Sequence, residues 1–158
     1  MNTKVKKSFT LVELLITIAI STFILYALHT SYITGNRAWK TYDSRVNTQR
    51  QTRQALTYMA KELREASGVA IVQNANSSTL SFSRDGVGAI SYAWSNSGND
   101  ANEIIRTLGA TPKILATDIS SLSFTDNTGS ITIDLTSTKT TPAHETITFT
   151  MREKVAMR

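Results

Sequence analysis

The hydrophobic pattern divides the chain into an apolar run, a helical stretch and a region of short alternating segments. Apolar side chains fill 15 of the 20 positions from Phe9 to Leu28, and none of these positions holds Pro or Gly. As an α-helix, 20 residues extend about 30 Å, which matches the hydrocarbon thickness of a bilayer. The run therefore predicts a transmembrane helix at residues 9–28.

Beyond this run, apolar residues recur at three- and four-residue steps, which is typical of an amphipathic helix. The stripe consists of Trp39, Tyr42, Val46, Leu56, Met59, Ala60 and Leu63, and it is interrupted at Gln49 and Arg53. Gly68, directly after Ser67, fits the C-cap of a helix. We therefore expect one helix from about Phe9 to Ser67, with Trp39 among its packing residues and with residues 29–68 outside the membrane.

The segment 69–158 predicts a β-rich domain, because runs rich in Val, Ile, Thr, Phe and Tyr alternate with turn residues. The expected strands are Val69–Gln73, Thr79–Ser83, Ala89–Trp94, Glu103–Leu108, Ile119–Thr125, Ser130–Thr136 and Glu145–Arg152. Alternation at 79–83, 131–135 and 147–151 favours antiparallel strands with one face laid on the helix. Ser137–Pro142 is expected to be a polar, mobile loop. The predicted fold class is therefore α+β.

The positive charge is concentrated ahead of the apolar run. The chain carries 17 Lys and Arg against 12 Asp and Glu, a net charge of +5. Lys4, Lys6 and Lys7 supply three of the cations, and without residues 1–8 the balance is 14 against 12, or +2. Lysines ahead of a first span keep that end in the cytoplasm. We therefore expect residues 69–158 outside the cytoplasm.

Glu13 is the one charged residue within the apolar run. A carboxylate inside a span costs about 2.5–3.5 kcal/mol on insertion scales, and a plain signal anchor does not account for it. A secretory signal peptide is disfavoured, because residues 26–29 form a poor small-x-small cleavage site. Glu13 lies near the end of the run, where a side chain can extend (snorkel) to the membrane surface. The alternative that Glu13 is a tolerated acid at the membrane interface therefore stays open.

The segment SFTLVELL, after a short Lys-rich leader, resembles the class III signal of type IV pilins and type II secretion pseudopilins. The resemblance implies that a prepilin peptidase cuts between Ser8 and Phe9 and removes the leader 1–8. It also implies that Phe9 is N-methylated and that Glu13 pairs with the Phe9 amine of a neighbouring subunit. A carboxylate in an apolar bundle is far less costly beside a cation. Ser8 stands where the family usually has Gly.

Two further segments, 51–67 (QTRQALTYMAKELREAS) and 113–124 (KILATDISSLSF), resemble J-type minor pseudopilins and PilW-like minor pilins. The resemblance implies a type IV pilin-like fold, with a long N-terminal helix against an antiparallel β-rich domain. It also implies a single-pass protein of the cytoplasmic (inner) membrane, with the domain on the periplasmic side.

The implied function is that of a minor subunit, which primes, caps or inserts into a type II secretion pseudopilus or type IV pilus. Its partners would be other pilin or pseudopilin subunits in a hetero-oligomeric tip complex. Two alternatives stay open: a pilus-tip adhesive or DNA-binding module of a DNA-uptake machine, and a signal-anchored enzyme or receptor domain.

No pattern of catalytic, cofactor-binding or metal-binding residues stands out, so no enzyme is predicted. The sequence has no Cys, which excludes disulfides and Cys-ligated metals. The only two histidines, His29 and His144, fit ordinary polar positions. The oxygens of residues 99–103 could serve calcium, but without an EF-hand pattern a plain loop is favoured. Nucleic acid is disfavoured as a partner, because Trp39 beside Lys40 has the spacing of a packing residue, and it is left open only because pilus machines related to this family take up DNA.

Overall fold

The computed structural model describes residues 10–141 and 144–157, and the chain divides into two compact units, Met1–Lys40 and Thr41–Arg158. One helix, α1 (Leu11–Leu63), begins in the first unit and ends in the second. Eight strands follow in the second unit: β1 (Ala66–Asn74), β2 (Ser77–Arg84), β3 (Gly88–Ser95), β4 (Glu103–Leu108), β5 (Thr111–Ala116), β6 (Ile119–Asn127), β7 (Ser130–Thr140) and β8 (Thr146–Ala156). The predicted α+β class is confirmed, and the layout is consistent with a type IV pilin-like fold.

The strands form two antiparallel sheets in which chain neighbours pair with each other. The first sheet has the order β1-β2-β3-β4-β5 and the second the order β6-β7-β8. The turn at 85–87 joins β2 to β3, with Gly86 in the left-handed region (φ 74°) that glycine adopts without a steric cost. Each of the seven predicted strands is present, and most of them are longer than predicted.

A single core joins the part of α1 in the second unit to both sheets. The helix contributes five side chains at three- and four-residue steps: Ala55, Leu56, Met59, Ala60 and Leu63. The alternating strands contribute inward residues such as Leu80 and Phe82 of β2 and Ile131, Ile133 and Leu135 of β7. The two periods, 3.6 on the helix and 2 on the strands, therefore meet in one apolar layer.

The buried face of the helix differs from the predicted stripe, because Tyr42 and Val46 are 63% and 44% exposed and two threonines continue the face instead. Thr48 and Thr52 are buried at 3% and 1% exposure. The Thr52 hydroxyl is hydrogen-bonded to the Thr48 carbonyl oxygen (2.8 Å) and to the hydroxyl of Ser137 on β7 (3.0 Å). The interruption predicted at Gln49 and Arg53 is therefore bridged by two small polar residues. The Thr52 hydroxyl has partners inside the domain, whereas the buried Thr48 hydroxyl has none among the described residues.

The predicted C-terminus of the helix was wrong. The helix ends at Leu63, and a hydrogen bond from the Glu65 amide to the Glu62 carbonyl closes its last turn. Ala66 is buried and already pairs with β2, so the chain enters the sheet before Ser67. Gly68 is not a C-cap, and instead lies in β1 at φ 62°, where the register with β2 shifts.

Three further expectations were corrected by the structure. Strand β5 was missed because Pro112 and Lys113 interrupt its β-forming pattern. The mobile loop expected at Ser137–Pro142 is wrong for residues 137–140, which extend β7 and pair with residues 146–149 of β8. Pro142 lies outside the described residues. Trp39, expected in the core, is 72% exposed within the first unit.

Candidate functional site

The described part of the first unit begins with a helix cap at Thr10. The Glu13 amide is hydrogen-bonded to the Thr10 hydroxyl (3.3 Å) and to its carbonyl oxygen (3.1 Å). Thr-x-x-Glu is the spacing of a capping box, in which a hydroxyl satisfies an amide that has no partner inside the helix. Thr10 therefore fixes the start of α1 and places Glu13 in its first turn. Sequence reasoning overlooked Thr10, although the capping-box spacing was legible.

The apolar run of α1 is uncovered in the described chain. Its large side chains are between 54% and 80% exposed from Leu11 to Leu28, and the most apolar 18-residue window has no buried residue. An exposed apolar surface of this extent marks a lipid- or protein-facing segment. By its length and composition, this helix can cross a membrane.

Three threonine hydroxyls in and just after this run find acceptors inside the helix itself. Thr17 donates to the Glu13 carbonyl (2.7 Å), Thr22 to the Ile18 carbonyl (2.7 Å), and Thr30 to the Tyr26 carbonyl (3.0 Å). A hydroxyl that bonds one turn back needs no water, which suits a lipid environment. The threonines are therefore compatible with the run as an anchor, and Glu13 is the one charged group left to account for.

The Glu13 carboxylate has no ionic partner among residues 10–141 and 144–157. The Glu13 side chain is exposed on the first turn of α1, near the N-terminal end of the apolar run. Ser8 and Phe9, the predicted cleavage and methylation positions, lie outside the described residues. Their roles, and the pairing role of Glu13, stay predictions.

Comparison with known proteins identifies this first segment. The family model of the prokaryotic N-terminal methylation motif matches residues 3–25. The chain carries the N-terminal methylation motif. This type IV pilin-like signal indicates a protein of type IV pilin or pseudopilin character. Neither the curated proteins nor the solved structures gave a significant match to the chain.

Within the described residues, the methylation motif covers the helix cap and the first turns of α1. Thr10, Glu13 and the apolar residues up to Leu25 all fall inside it. The motif and the long apolar helix together fit a membrane-anchored protein. The motif ends well before the globular unit, so the role of that unit has to be argued from its own contacts.

A buried ionic cluster in the second unit was not predicted from the sequence. Glu62, in the last turn of α1, accepts hydrogen bonds from Arg106 of β4 at 3.0 Å (Nε to Oε2) and 2.7 Å (Nη2 to Oε1). The Tyr92 hydroxyl of β3 also donates to Glu62 Oε2. Tyr92 and Arg106 are direct cross-strand partners, so the two strands present both donors to one carboxylate. We call these residues the Glu62–Tyr92–Arg106 cluster.

The pKa values in this cluster follow from its contacts. Burial raises the pKa of Glu62, but hydrogen bonds from Arg106 and Tyr92 and the charges of Arg106 and Arg84 outweigh it, so the net pKa is lowered. Burial and the hydrogen bond to Glu62 raise the pKa of Tyr92. The hydrogen bond to Glu62 raises the pKa of Arg106. The cluster is thus a charged, hydrogen-bonded pair with a neutral tyrosine, which fits a structural role.

We expect the globular unit to lose stability as the pH falls below about 4.5, the ordinary pKa of a glutamate. Because the folded pKa of Glu62 is lowered, its contribution is fully present above the unfolded pKa and is lost as the pH falls through the folded one. Urea unfolding of the full chain in detergent, repeated across the acid range, measures this loss. A Glu62→Gln chain should be less stable at pH 7 and should vary less with pH in that range. An equal pH dependence of the two chains would contradict this role of Glu62.

The remaining candidates from the sequence do not gather into a site. Among the residues that the structure describes, no three His, Asp or Glu side chains are placed to hold a metal ion. His29 and His144 are both exposed, and they lie in different units. Between β3 and β4, the backbone amide of Asn102 (φ 63°) donates to the Ser95 carbonyl, and the Asn102 carbonyl accepts from the Ile119 amide. These two backbone hydrogen bonds link β3 of the first sheet to β6 of the second through Asn102.

Proposed function

We propose that this chain is a minor pilin or pseudopilin, a subunit that primes, caps or inserts into a type II secretion pseudopilus or a type IV pilus. The observation that carries the proposal is the methylation motif at residues 3–25, which includes the first turns of an uncovered apolar helix. Such a helix serves as a membrane anchor before assembly and as a packing surface afterwards. The motif favours a structural subunit over an enzyme.

In this proposal the prepilin peptidase removes residues 1–8 by cutting between Ser8 and Phe9, and Phe9 is then methylated on its new amine. The Glu13 carboxylate pairs with the Phe9 amine of the next subunit. An unpaired carboxylate among apolar helices is costly, whereas a carboxylate beside a cation is much less so. The exposed Glu13, without an ionic partner among the described residues, supports this role.

The proposed organisation assigns residues 9–28 to the membrane, 29–68 to the extracytoplasmic part of the helix, and 69–158 to the globular domain. Lys4, Lys6 and Lys7 hold the N-terminus in the cytoplasm, and the domain lies in the periplasm. The proposed place in a hetero-oligomeric tip complex follows from the resemblance of segments 51–67 and 113–124 to J-type minor pseudopilins and PilW-like minor pilins.

Protease accessibility tests this topology. We expect the chain to stay in carbonate-washed inner membranes, and its globular domain to be digested by protease added to spheroplasts. Intact cells, in which the outer membrane excludes the protease, provide the control. Full protection in spheroplasts, with digestion only after the cells are lysed, would place the domain in the cytoplasm and contradict the proposal.

A further inference from the structure

A groove on the second unit runs between α1 and the last strand of the five-stranded sheet. It encloses about 520 Å³ and is lined by Arg53 and Tyr58 of α1 and by Lys113, Ile114 and Leu115 of β5, among others. Tyr58 and Ile114 are 53% and 55% exposed, so both sides of this groove, on α1 and on β5, present an uncovered apolar side chain. We call it the β5 groove.

Strand β5 is open on one side and on both faces. It is the terminal strand of its sheet and pairs only with β4. Four consecutive residues, 111–114, are exposed. Since successive side chains of a strand point to opposite faces, a run of exposed residues means that neither face of this half of β5 is covered.

One edge of the other sheet, that of β6, is sealed by side chains, in contrast to the open edge of β5. On β6, the Ile119 carbonyl accepts from the Trp94 indole (3.0 Å), and the Phe124 amide donates to the Gln73 side chain (3.0 Å). Ser78 donates to the Leu122 carbonyl. Side chains from β1, β2 and β3 thus occupy the edge of β6. No hydrogen bond among the described residues occupies β5 in this way.

The β5 groove is positively charged and its cations lack partners. Arg53 and Lys113 line it, and Arg50 lines an adjoining hollow that also includes Arg53. No acidic residue lines either of these two surfaces. Six other basic residues of the second unit form salt bridges: Arg45, Arg64, Arg84, Arg106, Lys139 and Arg152. Within the described residues, Arg50, Arg53 and Lys113 form none.

We propose that the β5 groove binds an extended segment of a partner subunit, which adds to β5 as a further strand. The open edge offers backbone donors and acceptors, which give affinity in β-strand addition, while side-chain pockets give specificity. The unpaired cations select a segment whose apolar residues alternate with carboxylates. Pro112 has no backbone donor and Lys113 carries a charge, and both features discourage non-specific pairing with other strands. The edge is therefore selective for its partner and not prone to aggregation.

A peptide fits this surface better than a nucleic acid does. A phosphate backbone would use the cations but would leave the open strand edge and the exposed Ile114 without partners. This inference rests on the proposed function in one respect: assembly with other pilin-like subunits is what would bring a partner segment to the groove. Neither Phe9 nor Glu13 takes part in the binding, so a failure of either proposal is recognisable separately.

Fluorescence anisotropy with the purified full chain in detergent tests this proposal. The probe is a labelled nonapeptide of alternating glutamate and valine. We expect saturable binding that weakens at least about tenfold in the chain carrying both Arg53→Glu and Lys113→Glu, since about 1.4 kcal/mol of lost attraction suffices for this factor. The chain carrying both Lys40→Glu and Lys154→Glu, which replaces two exposed cations outside the groove, is the control with the same net charge and should change binding less than about twofold.

A second peptide tests strand addition itself. Methylating alternate backbone nitrogens of the probe removes its hydrogen-bond donors while keeping its side chains, and should weaken binding at least about tenfold. Absence of binding to the unmodified chain, equal losses in the groove and control variants, or unchanged binding of the methylated probe would each overturn the proposal. Duplex DNA that binds more tightly than the peptide, and depends on Arg53 and Lys113, would overturn it in favour of a nucleic-acid surface. Equal circular dichroism spectra of the variants establish that the fold is retained.

Discussion

Glu13→Ala is expected to leave membrane insertion intact while reducing assembly with other subunits at least about tenfold. Removing the carboxylate makes the span more apolar, by about 2.5–3.5 kcal/mol at a span centre and less near its end, so insertion does not suffer. The same change leaves the Phe9 amine of the neighbouring subunit without a counter-charge inside an apolar bundle. A loss above about 1.4 kcal/mol in this pairing corresponds to the tenfold reduction. Co-purification of differently tagged chains from membranes measures assembly, and carbonate extraction measures insertion.

Two variants of the same helix are the controls for this experiment. Glu13→Asp keeps the charge and should retain part of the assembly. Thr22→Ala removes a hydroxyl that bonds only to the Ile18 carbonyl of its own helix, and should assemble like the unmodified chain. Unreduced assembly of the Glu13→Ala chain would refute the pairing role and leave Glu13 as a tolerated interfacial acid.

Arg106→Ala is expected to destabilise the globular unit by about 3 kcal/mol, the lower end of the range for breaking a buried ion pair. The Arg106 side chain is 15% exposed and that of Glu62 is 9% exposed, so the pair is screened only weakly by water. Without Arg106, Glu62 stays buried as a charge that only Tyr92 hydrogen-bonds. Urea unfolding of the full chain in detergent at pH 7 gives the free energy of unfolding.

Two further variants test whether the loss of stability in Arg106→Ala comes from a charge left buried: one breaks an exposed ion pair, and the other replaces the cluster by apolar residues. Arg64, the residue after α1, forms an ion pair with Glu153 of β8 at 3.4 Å, but its side chain is 62% exposed. Arg64→Ala should therefore cost at most about 1 kcal/mol. Replacing the whole cluster by apolar residues (Glu62→Leu, Tyr92→Phe and Arg106→Met) should recover most of the Arg106→Ala loss, since no buried charge remains. Equal losses in Arg64→Ala and Arg106→Ala would show that burial of the cluster does not matter.

The elements that could be predicted from the sequence are those whose pattern is repeated many times. Leu56, Met59, Ala60 and Leu63 follow the helical period, and the inward residues of β2 and β7 alternate without a break. The methylation signal was also readable, because the basic leader, the apolar run and Glu13 stand close together in one short segment. Thr10, by contrast, was overlooked although its capping role depends on the same few residues.

The features that were missed depend on contacts between distant residues. Glu62 resembles any surface glutamate in the sequence, and only the pairing of Tyr92 with Arg106 places two donors beside it. Thr52 looks polar, yet Ser137 gives its hydroxyl a partner inside the core. The end of α1 was placed too late because the early pairing of Ala66 with β2 overrides the helix-forming residues Glu65 and Ala66.

The N-terminus of the chain in its membrane tests the central claim most directly. Mass spectrometry of the chain, extracted from membranes of a bacterium with an active prepilin peptidase, should find a first peptide that begins at Phe9. Its α-amino group should carry one methyl group. A strain without the peptidase should retain residues 1–8, which controls for other proteases. A chain that retains residues 1–8 in peptidase-positive cells would contradict the account of this protein as a processed pilin-like subunit.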